Sequence, residues 1–176
     1  SLLSFDKPSA SVSRGASLKS GPSMSFINFI RANASWLGAG FLLALLSSFG
    51  QTFFISIFSG ALRNEFDLTH AEWGATYALG TFSSAVVMVW AGGLSDHFRT
   101  RYLGVFVLLG LALSASVMML NTSATLLILV IFCLRFFGQG MATHLSAVAM
   151  SRWFSAQRGR ALSIANMGYA LGEASL

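Results

Sequence analysis

The chain has 176 residues, of which 55% are apolar and only 10% charged, with a formal net charge of +5 and a mean hydropathy of +0.68. A soluble domain carries about a quarter charged residues, so this chain lacks the polarity that a water-facing surface demands. Its single cysteine, Cys133, lies inside an apolar block, which excludes a disulfide framework or thiolate cluster, and its basic residues stand between such blocks rather than in a nucleic-acid patch, so no nucleic-acid partner is expected.

In chain order, residues 1–25 are Ser-rich, hold both prolines and show no period, and read as a disordered tail. Residues 26–35, "FINFIRANAS", alternate in character and read as a segment lying along the membrane surface. Five apolar blocks follow, near 36–60, 73–94, 102–120, 124–150 and 161–176. A span needs about 20 residues to cross roughly 30 Å of hydrocarbon, which the first four supply; the fifth reads as a truncated span. The chain opens with Ser1 rather than Met and stops at Leu176 inside an apolar run, so it is expected to be a piece of a longer protein. Lipid offers no water to satisfy backbone groups, so every block is expected to be helical. The fold class is an all-α membrane protein, with residues 36–176 as one transmembrane helical bundle.

The Lys and Arg residues orient it. The tail and the segment after it carry Lys7, Arg14, Lys19 and Arg31. The second loop has Arg99 and Arg101, and the fourth has Arg152, Arg158 and Arg160. The first loop has Arg63 against Glu65, Asp67 and Glu72, and the third, "NTSAT", has no basic residue. The positive-inside rule then places the N-terminus in the cytoplasm. Trp36, Trp73 and Trp153 stand at block ends, where interfacial anchors sit. Gly38, Gly40, Gly74, Gly80 and the Gly168-x-x-x-Gly172 pair are candidates for close helix contact.

Polarity inside the blocks marks candidate function. Ser47 and Gln51 are four residues apart in the first block and are expected to line one cavity, with a helix–helix hydrogen bond as the other reading. Arg135 lies eleven residues after Ala124, about 16 Å along a helix at ~1.5 Å per residue, near mid-membrane. A cation there costs at least about 2.5–3.5 kcal/mol on insertion scales and normally faces a cavity or a partner. At α-helical spacing Gln139, Ala142, Thr143 and Ser146 follow on its face, with His144 turned away. The stripe points to a carboxylate gripped by Arg135, Gln139, Thr143, Gln51 and Ser47; a structural arginine tied to carbonyls is the alternative. Glu173, at a similar depth, is expected either to pair with Arg135 in a buried ion pair or to carry a proton. In "AGGLSDHFRTRYLG", Asp96 is the one carboxylate among the basic residues of the even loops, which suits an inner latch; a merely solvated turn is the alternative.

"GGLSDHFRTR" resembles the G-x-L-a-D-[RK]-x-G-[RK]-[RK] signature of the major facilitator superfamily, with Gly92, Leu94, Asp96 and Arg101 in register. His97, Arg99 and Thr100 depart from it. "RFFGQG", residues 135–140, is similar to the family's fourth-helix R-x-x-x-G-x-G element with one residue fewer, and "SRWFSAQRGRALS" resembles the R-W-F…R-G-R-A connection of bacterial members. The resemblance covers residues 36–176. It implies a secondary transporter with substrate held between two six-helix halves, this chain forming most of the first. Energy would come from protons or a counter-transported anion, in a bacterial inner membrane. Gly92, Asp96, Arg101, Arg158 and Arg160 would form the cytoplasmic gate. The arginine points to organic anions such as monocarboxylates. A membrane assembly or receptor protein whose charges only set topology is the competing reading.

No nucleophile–base spacing falls on one helix face, so an enzyme is not expected. His70, His97 and His144 lie in separate elements without ligand spacing, so no metal is expected, and nothing resembles a phosphate loop; no cofactor is implied.

Overall fold

The computed structural model describes residues 25–175, so the expected tail lies outside the described residues apart from Ser25. A short helix, α1 (Phe26–Ala32), belongs to a unit distinct from the one formed by the rest of the chain from Asn33 onward. In that larger unit the elements are α2 (Ala34–Leu46), α3 (Thr52–Ile57), α4 (Ser59–Glu65), α5 (His70–Ala91), α6 (Leu94–His97), α7 (Thr100–Leu120), α8 (Ala124–Leu134), α9 (Thr143–Trp153) and α10 (Arg158–Ser175). Among the described residues four stretches are long and apolar enough to cross a membrane: Ala34–Ile57, His70–His97, Thr100–Leu120 and Ala124–Trp153. These are the first four expected spans. The fifth block forms α10, an 18-residue helix that also takes in Arg158 and Arg160.

The second span starts three residues earlier than hydropathy indicates, for a local reason. Thr69 and Glu72 form a reciprocal cap: the Glu72 backbone N–H donates to Thr69 Oγ1 at 3.2 Å, and the Thr69 backbone N–H donates to Glu72 Oε2 at 2.8 Å. Two of the orphan donors of the first turn are thereby satisfied before the apolar stretch begins. Asp67, at φ 49°, turns the chain just upstream.

Two spans are not plain α-helices, and they meet where they deviate. The first runs from α2 into a 3₁₀ turn, Ser47–Gly50, then breaks at Gln51, whose backbone is extended (φ −81°, ψ 157°), before α3 resumes. The fourth carries a π-helical segment, Arg135–Ala142, between α8 and α9. Such segments are short, local and often functional. Gly50 lies against Gly138: a Cβ on Gly50 would sit 2.6 Å from Gly138 Cα and collide with the Leu134 carbonyl oxygen. Neither chain can carry a side chain at this crossing.

The other close contacts also run through small residues. α10 lies along α2, with Gly168 against the Phe41 carbonyl and Gly172 against the Leu45 carbonyl, so the expected glycine pair is a packing face. Gly40 meets Met150 and Gly80 meets Ile131, whereas Gly38 and Gly74 have open space beside them. Apolar clusters fill the rest: Leu43, Val107, Met141 and Leu145 in one, and Ile55, Leu111, Val130 and Leu134 in another. The outer surface is apolar too. Phe82, Val89, Leu109, Leu113 and Met119 are 65–87% exposed, an arrangement suited to lipid rather than water.

Candidate functional site

Arg135 opens the π segment and is buried, with 8% of its surface exposed. Its Nη1 donates to Thr52 Oγ1 at 2.8 Å, and its guanidinium carbon stands 5.6 Å from the centre of the Tyr77 ring. The Tyr77 hydroxyl donates to the same Thr52 oxygen at 3.2 Å. Three elements thus converge: α3 supplies Thr52 because the chain restarts there after the Gln51 break, α5 supplies Tyr77, and the π segment supplies the cation. No carboxylate lies within ion-pair reach of Arg135 among the described residues. The ring face and the hydroxyl compensate part of its desolvation.

A cavity of ≈ 180 Å³ adjoins this group, lined by Arg135 and Gln139 from the π segment and by Thr81, Ser84 and Met88 from α5. Positions 77, 81, 84 and 88 recur at helical spacing, which is why one face of α5 meets Arg135 along its length.

The structure brings together only part of the expected stripe. A π turn takes up more residues than an α turn, so α-helical spacing fails across Arg135–Ala142. Gln139 stays beside Arg135, but Ala142 is fully buried in a core cluster and Ser146 donates to the Gly40 carbonyl at 2.7 Å. Thr143 is exposed and lies outside the Arg135 cavity. Ser47 does not line a cavity with Gln51: it is fully buried and its hydroxyl donates to the Ala44 carbonyl at 2.6 Å, because the 3₁₀ turn and the break at Gln51 undo the four-residue relation. Gln51 itself is buried beside Thr52. Glu173 forms no buried pair with Arg135. Gly172 presses α10 against α2, leaving Glu173 exposed, while Arg135 faces α3 and α5. Thr52 and Tyr77 are absent from the expected binding set; Thr52 could have been found from its place beside Gln51, but Tyr77 carries no sequence signal, since the pairing depends on how α5 packs.

At the other end of these helices, Arg152 of α9 pairs with Asp96 Oδ1 and donates to the Ser95 carbonyl at 2.6 Å. The acid of the signature therefore has a cationic partner, and that partner is Arg152. Arg101 is engaged elsewhere, with its guanidinium carbon 5.9 Å from the Trp36 ring centre, and Trp36 packs edge-on against Trp153 at 4.7 Å. Gly92, Asp96, Arg152 and Arg158 line a cavity of ≈ 520 Å³ together with His144. Arg160, two residues along α10 from Arg158, is exposed. Among the described residues there is no cluster of His, Cys, Asp and Glu able to hold a metal ion.

An apolar-surfaced bundle with buried polar groups meeting at a helix break is an integral membrane protein of the solute-handling kind. The Major Facilitator Superfamily model matches residues 40–175, and the chain belongs to that family. It is accordingly a membrane transporter protein of the secondary class. Comparison with curated proteins and with solved structures gave no match.

Proposed function

We propose that this transporter moves a small organic anion, a monocarboxylate in particular, and that Arg135 is the group that grips it. The observation that carries the reading is a buried guanidinium beside a cavity, with no carboxylate partner among the described residues. Arg135 has five N–H donors in a planar fork, suited to a carboxylate, and the neighbours Gln139, Ser84 and Thr81 supply neutral hydrogen-bonding groups. The cavity of ≈ 180 Å³ suits a ligand of a few heavy atoms better than a drug-sized one. Glu173, exposed on α10, is the candidate proton carrier if an ion gradient drives transport. Asp96 with Arg152, near Gly92 and Arg158, forms the inner gate in this reading.

Uptake of labelled short carboxylates into cells expressing the transporter tests it. Arg135→Ala should abolish uptake, and Arg135→Lys should retain charge but lose the bidentate grip, raising the half-saturating concentration about tenfold or more. Unchanged flux in Arg135→Ala would remove the anion reading and favour a protein whose charges only set topology. Glu173→Gln, assayed at several pH values, should flatten the pH dependence of uptake if the acid carries the proton.

A further inference from the structure

We propose that Thr52 is a second donor to the transported anion, held in place by Arg135 and Tyr77. The inference rests on the anion reading above and adds a residue to it. A threonine hydroxyl has two lone pairs and one hydrogen. Both lone pairs of Thr52 are occupied, by Arg135 Nη1 at 2.8 Å and by the Tyr77 hydroxyl at 3.2 Å. The hydrogen is left over. Were the bond between the two hydroxyls reversed, the surplus hydrogen would belong to Tyr77, so the pair carries one unspent O–H in either sense.

In an unbroken helix such a hydrogen turns back to a carbonyl of the preceding turn. Other hydroxyls here do so: Ser114 donates to the Gly110 carbonyl at 2.7 Å and Ser163 to the Gly159 carbonyl at 2.7 Å. Thr52 makes no such bond, because it is the first helical residue after the extended Gln51 and no α-helical turn precedes it. Thr52 is also exposed, unlike the buried Arg135 it supports, and it does not line the cavity of ≈ 180 Å³, so an anion shared by the two has one oxygen outside that cavity. An unspent donor next to a guanidinium with free N–H groups calls for an acceptor that serves both. A carboxylate does so, one oxygen on the arginine fork and one on the Thr52 hydroxyl. Tyr77 touches the anion in no step of this scheme. It is a positioning residue, fixing Thr52 so that its hydrogen points outward.

The test is carboxylate uptake by the transporter carrying Thr52→Val, Thr52→Ser or Tyr77→Phe, beside Arg135→Ala. Thr52→Val keeps the shape and removes the hydroxyl, and should raise the half-saturating concentration about tenfold, since a hydrogen bond to a charged group is lost. Thr52→Ser should restore it. Tyr77→Phe should raise it only a few-fold, with the maximal rate unchanged. If Thr52→Val fails to reach the membrane, Thr52→Ala is compared with Thr52→Ser in the same assay. Impairment confined to the variant without a hydroxyl supports the proposal, and equal impairment of both overturns it. Wild-type affinity in Thr52→Val alongside abolished uptake in Arg135→Ala sinks the Thr52 role alone; full uptake in Arg135→Ala sinks the anion reading itself.

Discussion

Arg152 holds two acceptors of the second span at once, the Asp96 carboxylate and the Ser95 carbonyl. The side chains of the pair are 45% and 66% exposed, so the pair is worth at most about 1 kcal/mol of stability. Its importance to a gate lies in what it joins: the short helix α6 at the end of the second span and the end of the fourth. Asp96→Asn should therefore leave the melting temperature in detergent within about 4 °C of wild type, while changing the rate of uptake several-fold. A large loss of thermal stability would make the pair a structural staple and remove the gate reading. Asp96 was legible in the sequence because it is the one acid among five basic residues. Its partner was not, because Arg152 is 56 residues away and nothing in spacing separates it from Arg99 or Arg101. The same limit applies to Tyr77: a tyrosine near the start of an apolar block is indistinguishable from packing until the helices are placed.

At the scale of elements, hydropathy and length recover the four spans because both follow from the thickness of hydrocarbon. The segments that make the site were hidden. A 3₁₀ turn in the first span and a π segment in the fourth meet where two backbones are in contact at Gly50 and Gly138, and neither has a local signature. The glycines singled out by spacing divide accordingly: Gly40, Gly80, Gly168 and Gly172 face neighbours, but Gly38 and Gly74 do not. Gly138→Ala should destabilise the bundle by about 1–3 kcal/mol, as overpacking does, since what its Cβ would meet is the Gly50 backbone at 2.6 Å and not a movable side chain. Gly74→Ala, with nothing within 4 Å, should be neutral or stabilising by up to about 1 kcal/mol. Thermal unfolding of the two variants in detergent compares them directly. Equal effects would mean that the Gly50–Gly138 crossing adjusts freely and does not fix Thr52 against Arg135.

At the scale of the whole molecule, the loop charges and the packing bear on orientation independently. Trp36 touches Trp153, Arg101 covers Trp36, Arg152 holds Asp96, and Arg158 shares a cavity with Gly92. Arg101 of the second loop and Arg152 and Arg158 of the fourth therefore gather at one end of the bundle. At the other end Phe58, Leu62 and Glu65 line a groove with Met118 and Met119, next to the loop that contains no Lys or Arg. A charge asymmetry that sequence shows only as alternation along the chain becomes a single basic end, which is the condition under which the positive-inside rule acts. The rule predicts the Asp96–Arg152 pair, the proposed gate, in the cytoplasm and the loop at residues 121–123 outside. Single cysteines at the exposed positions Thr122 and Ser155, in a background where Cys133 is replaced by Ala, read this out with a membrane-impermeant maleimide. Thr122→Cys should label in intact cells, and Ser155→Cys only after the membrane is opened. The reverse pattern would put the gate on the outer face. Arg135 and Thr52 would keep their depth, but the latch would then guard entry from outside, and the acid-and-arginine loop could no longer be the inner door of the pathway.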